Sequence, residues 1–163
     1  MKLIKLLPLI LASSLYANDC IPLTFKTLSE QKGHAVPYDV WAREIMPNGT
    51  APALATAVAS WNAKFPNKPL VCIFSAVKGV RSEDTPIAYG TSYLWVGLVP
   101  KDMMADTPNK DEAHSCIMTM NKNGIFTLYH TLDSEGKRTL VERLTGEEFF
   151  ARTYLVFQAE SKP

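Results

Sequence analysis

The apolar residues of this chain change their spacing once, near Leu70, and that switch limits the possible folds more than any other feature. Before it, they recur at helical intervals. In PYDVWAREIM, Pro37 suits the first helical position, Val40, Trp41 and Ile45 share one side, and Pro47, Asn48 and Gly49 stop the run. Leu54, Val58 and Trp61 repeat the pattern, with Thr50 as N-cap, Pro52 just inside and an end near Lys64. Thr27 to Lys32 adds one short turn closed by Gly33. After Leu70 the spacing is that of strands. LVCIFSAV is apolar on both faces, as in a strand covered on both sides. IAYGTSYLWVGLV, SCIMTMN, IFTLYHTL, RTLVERL and ARTYLVFQ follow, with Thr145 to Phe150 between the last two. Asn123-Gly124 joins two of these runs and is the strongest short hairpin signal in the chain.

Helices first and consecutive strands after predict an α+β domain, with the N-terminal helices packed on a curved antiparallel sheet of about five to six strands. A cystatin-like or NTF2-like roll is the nearest architectural analogy, and such an analogy carries no function with it.

Residues 1–17, MKLIKLLPLILASSLYA, have the layout of a cleavable secretory signal. Lys2 and Lys5 form a basic start, Leu6 to Ala12 an apolar middle, and Ser13, Ser14 and Ala17 a small-residue exit. The apolar run is far short of the roughly 20 residues that span a bilayer. Cleavage near Ala17 leaves residues 18–163 as a single globular domain, periplasmic or secreted, with no transmembrane segment. Losing Lys2 and Lys5 turns a formal net charge of +1 into −1. A near-neutral chain lacks the basic footprint of a nucleic-acid binder, so no nucleic-acid partner is expected.

In an oxidising compartment, Cys20, Cys72 and Cys116 predict at least one disulfide. If the strands form a simple meander, those carrying Cys72 and Cys116 lie about 9.6 Å apart, beyond the ~7 Å reach of a disulfide. Cys20 is then the expected partner of one of them.

Chemistry-bearing residues are few. Asp111 to His114 spells DEAH, but a nucleotide hydrolase also needs a G-x-x-x-x-G-K-[ST] loop, and none is present. Asn48-Gly49-Thr50 matches a glycosylation sequon but reads as a turn and helix cap. The acidic stretch Asp102 to Glu112 has no turn glycine and no calcium-loop spacing, so it reads as a solvated loop. If the chain were an enzyme, His114, Cys116 and His130 would be its catalytic residues, since a thiol nucleophile needs a base within reach. His114 and Cys116 stand two apart on one strand, about 7 Å between Cβ atoms. A two-residue Asn123-Gly124 loop pairs Lys122 with Ile125 and Ile117 with His130. That register turns His130 to the face opposite His114 and Cys116, which excludes a joint site. No metal site and no cofactor are expected.

Tyr89, Tyr93 and Trp95 share one face of their strand. They either form a recognition surface, with Asp106 and Asp111 of the acidic loop beside them, or pack on Trp41 and Trp61. The expectation is a small exported binding or accessory protein, such as an inhibitor, immunity protein, secretion accessory or host-interaction factor. Its partner would be a protein or glycan outside the cytosol. The rival readings are a small hydrolase using the Cys/His residues and a carrier of a small apolar ligand.

Overall fold

A computed structural model of the chain describes residues 20–49, 53–76, 80–81, 86–99, 112–131 and 139–160. Within these lie helices α1 (Cys20–Gln31), α2 (Tyr38–Ile45), α3 (Leu54–Lys64) and α4 (Gly146–Arg152). The strands are β1 (Leu70–Ser75), β2 (Val80–Arg81), β3 (Tyr93–Val99), β4 (Glu112–Met120), β5 (Phe126–Thr131), β6 (Thr139–Leu144) and β7 (Thr153–Ala159). All neighbouring strands are antiparallel, and the sheet order is β2-β1-β7-β3-β4-β5-β6. The fold is α+β, with three helices ahead of an open sheet.

The helical layer follows from its aromatic residues. Phe25 of α1 presents its edge to Trp41 of α2 at 5.1 Å and to Trp61 of α3 at 5.2 Å. The two indoles stack at 5.6 Å with an interplanar angle of 4°. Edge-to-face and offset contacts of this kind add roughly 0.5–1.5 kcal/mol each beyond their buried area. Leu94, Val96, Ile117, Leu155 and Phe157 of the sheet close this first core from below. Helix α1 starts well before the turn expected at Thr27, because Ile21, Leu23 and Phe25 are all buried in its first two turns. It ends at Gly33 (φ +79°), where His34 N–H donates to the Ser29 carbonyl. The chain cap of α3 is Ala53, without a side-chain bond; Thr50 and Pro52 lie outside the described residues.

The sheet is not a meander. From β6, at one edge, the chain forms α4 and re-enters as β7 between β1 and β3. Crossing back this way lays α4 over the face of the sheet opposite α1–α3. There Phe149 stacks on Phe126 at 3.9 Å and joins a second core with Ile73, Tyr93, Trp95, Cys116, Met118 and Val156. The sheet is therefore apolar on both sides, and its middle strand β3 is buried along nearly its whole length. The strand expected to be covered on both sides was β1. It instead sits beside the two-residue edge strand, and Val71 and Cys72 are exposed.

Two sequence expectations fail here for reasons of topology. First, no disulfide joins Cys20, Cys72 and Cys116. β1 and β4 are separated by both β7 and β3, so Cys72 and Cys116 stand about 14 Å apart at three strand spacings. Cys20 belongs to the first core and Cys116 to the second, on opposite faces of the sheet. Second, the hairpin after β4 has a three-residue loop. Met120 pairs with Phe126 and Ile117 with Tyr129. Asn121 N–H donates to Ile125, Gly124 N–H donates back to the Asn121 carbonyl, and Gly124 has φ +74°. Such a turn closed by a left-handed glycine is the common three-residue hairpin loop. The Asn121 side chain holds it by accepting from the Asn123 and Ile125 amides. One extra residue in the loop moves every β5 side chain to the other face.

Candidate functional site

The register change brings together what the two-residue loop would separate. On β3 and β4, Trp95 pairs with Cys116 and Gly97 with His114. One step past the Ile117–Tyr129 pair, Cys116 faces His130. His114, Cys116 and His130 thus share the α4 side of the sheet. The imidazole centroids of His114 and His130 are 5.2 Å apart. His130 Nε2 lies 3.4 Å from Glu142 Oε2, and Arg152 grips both oxygens of Glu142, Nη2 at 2.9 Å from Oε2. Arg152 Nε also donates to the Leu98 carbonyl at 3.0 Å. Trp95 Nε1 donates to Thr153 Oγ1 at 2.8 Å, and the Thr153 hydroxyl donates a hydrogen bond to the Phe149 carbonyl at 2.6 Å. Gly97 completes the arrangement: a Cβ there would overlap the Trp95 indole and the Arg152 carbonyl oxygen.

This cluster is sealed. His114 and His130 are almost wholly buried, and His114 Nδ1 and Nε2 and His130 Nδ1 have no hydrogen-bond partner. Burial, then the neighbouring His130, lowers the pKa of His114 to about 3. Burial also lowers His130, against the pull of Glu142. Both rings are neutral at physiological pH. Burial, with the Cys20 thiol next, pushes the Cys116 thiol well up. A nucleophilic cysteine needs the opposite, an accessible thiol with a depressed pKa. Proximity is therefore present without activation. Among the described residues, no three His, Cys, Asp or Glu side chains converge on a metal position.

The aromatic recognition face is also corrected. Tyr93 and Trp95 are 0% exposed. They pack in the second core, not on Trp41 and Trp61, because α4 covers their side of the sheet. Tyr93 Oη accepts from the Ala88 amide at 2.8 Å. Tyr89 alone of the three is on the surface, 62% exposed. Asp106 and Asp111 lie outside the described residues, as does the leader 1–17.

The accessible concavity is on the other side. Helix α1 lies over β4, where Thr24 Oγ1 donates to the Cys20 carbonyl at 2.6 Å and also lies 3.2 Å from the Ser115 carbonyl. Beyond α1 no described residue covers the helix-facing surface of β5 and β6, and a groove of about 600 Å³ opens there. Leu23, Lys26, Thr27 and Gln31 of α1 make its wall. Ile117 and Thr119 of β4, with Tyr129 and Thr131 of β5, make its floor, and Thr139 of β6 its rim. Lys26 is paired with Glu30 at 3.7 Å and so adds little net charge. Tyr129 and its cross-strand partner Val141 remain 40% and 47% exposed.

None of these groove residues stands out by type. The signal was alternation: Thr127, Tyr129 and Thr131 against Phe126, Leu128 and His130 in one strand. That pattern marks a strand with one apolar and one polar, accessible face. Protein-family models, curated proteins and solved structures were all searched, and nothing matches this chain. No helix among the described residues is long and apolar enough to cross a membrane.

Proposed function

We propose that this chain is an exported binding or accessory protein that takes a protein or glycan partner in the groove between α1 and β4–β6. The groove carries the reading. Its volume of about 600 Å³ is that of a ligand site, and Thr27, Thr119, Thr131, Thr139 and Tyr129 line it with hydroxyls. Hydroxyls beside an exposed aromatic ring suit a polar partner that needs both hydrogen bonds and a flat apolar surface. The same lining favours such a partner over the small apolar cargo of a carrier. The hydrolase reading is weaker, since its thiol is buried and held protonated. The leader-like residues 1–17 support an encounter in the periplasm or outside the cell.

Capture from envelope and culture fractions tests this, with bound material identified by mass spectrometry. Thr119→Arg and Thr131→Arg fill the groove from half-buried floor positions. Ala59→Arg, on the exposed side of α3, serves as control. Both groove variants should lose the partner retained by the control. Equal retention by all three proteins refutes the assignment, and an unprocessed cytosolic chain refutes export.

A further inference from the structure

The second core is held shut at one polar point. Helix α4 has seven residues and covers the sheet with Phe149 and Phe150. Its C-terminal residue Arg152 fastens it to β6 through Glu142 and to β3 through the Leu98 carbonyl. Glu142 Oε2 serves two groups at once, Arg152 Nη2 at 2.9 Å and His130 Nε2 at 3.4 Å. His114 stands behind His130 with both ring nitrogens unpartnered. Among the described residues, the elements around this pair contribute the following groups. β4 brings His114 and Cys116, β5 brings His130, β6 brings Glu142, and α4 brings Arg152 with the Glu148 carboxylate acting on it from the surface. β3 presents Tyr93, Trp95 and Gly97 on this face, and β7 presents Thr153 and Val156.

We propose that the His114–His130 pair is an acid-operated latch for α4: protonation there frees the helix from its seat and uncovers the second apolar face of the sheet, while α1–α3 stay packed. The geometry gives the mechanism. A proton on His130 makes it a cationic donor to Glu142 Oε2, the oxygen that Arg152 also uses. Two cations then compete for one carboxylate that is only 11% exposed. A proton on His114 adds a positive charge beside them, on a ring whose two nitrogens have no hydrogen-bond partner. In either case the cheapest response is for Arg152 to leave for solvent, because α4 is short and is otherwise held by the ring contacts of Phe149 and Phe150 and by the Thr153 hydroxyl on the Phe149 carbonyl. The sheet insulates the helical layer. Phe25, Trp41 and Trp61 lie on its far side in a separate cluster and contact no member of the latch. Opening would expose Trp95, Phe126 and Phe149 together, an apolar surface of the kind that captures partners or membranes.

Amide hydrogen exchange on the full chain, compared as protection factors from pH 7.5 to 4.5, reads the latch directly. Protection of residues 146–152 should fall on acidification, by up to about 30-fold per histidine at pH 5, where the unfolded-state histidine pKa lies ~1.5 units higher. Protection in α1–α3 should hold over the same range, and an apolar dye should bind as α4 opens. NMR of the histidine rings should show His114 or His130 titrating with the opening. His114→Gln with His130→Gln should remove the pH response, while His34→Gln, an exposed control, keeps it. Should the double variant fail to fold, the ring titration of the wild type still decides. Loss of α4 and α1–α3 protection at one common pH overturns the proposal, as does opening without titration of either ring.

Discussion

Glu142 and Arg152 give the sharpest energetic test of the structure. Their side chains are 11% and 19% exposed, and the guanidinium holds both carboxylate oxygens. Glu142→Leu leaves the Arg152 charge half-enclosed without its counterion. Breaking a buried pair from one side costs about 3–5 kcal/mol, and the residual solvent contact here argues for the lower end, about 3 kcal/mol. Arg152→Met should cost about the same, since it strands the carboxylate and removes the bond to the Leu98 carbonyl. Replacing both removes the two charges together, and such swaps are often close to neutral. The double variant should therefore lose only about 1 kcal/mol, for the abandoned Leu98 carbonyl. Urea denaturation provides the assay. With a slope of about 2 kcal/mol per molar, each single variant shifts the midpoint down by roughly 1.5 M and the double variant by about 0.5 M. The cycle then yields a coupling of about 5 kcal/mol. A coupling below about 0.5 kcal/mol would mean that the two side chains act independently, and the account of how α4 is fastened would be wrong.

Three further outcomes follow from the same core. Gly97→Ala drives a Cβ into the Trp95 indole and the Arg152 carbonyl oxygen; it should destabilise by about 3 kcal/mol or more, as overpacking does when backbone cannot move, and a melting temperature within a degree of wild type would contradict it. Cys116 should resist iodoacetamide at pH 8 in the native state and react only on unfolding, with peptide mapping as readout, whereas rapid native alkylation would revive the nucleophile reading. His114 carries a folded pKa of about 3 against an ordinary 6.5, so its contribution is complete above pH 6.5 and is lost progressively as pH falls towards 3. By pH 5 that loss is about 2 kcal/mol, measured within the difference in urea stability between pH 7.5 and 5, and His114→Gln should reduce the difference by that amount.

Much of the local structure could be read from residue order. Leu54, Val58 and Trp61 mark α3 because helical spacing is a property of neighbours along the chain. The β runs are equally plain, and Asn123-Gly124 marks where the hairpin turns. The chain also held one unused local signal: Thr145 and Glu148 form a capping box in the structure, and T-x-x-E just before an apolar pair is the mark of a helix start. Reading it would have revealed α4.

What lay beyond the sequence was decided by distant parts of the chain. The loop length at Asn123-Gly124 depends on the Asn121 side chain and on the left-handed Gly124, and a two-residue and a three-residue loop use the same dipeptide. That single residue determines whether His130 meets His114 or turns away, because strand side chains alternate with a period of two. The place of β7, between β1 and β3, depends on pairing with strands more than fifty residues away, which no window of sequence contains. Its return buries Tyr93 and Trp95 under α4 and, among the described residues, leaves a groove on the helix side of β5 and β6. Local order thus determined the elements, while the loop length and long-range pairing together decided which faces became core and which became groove.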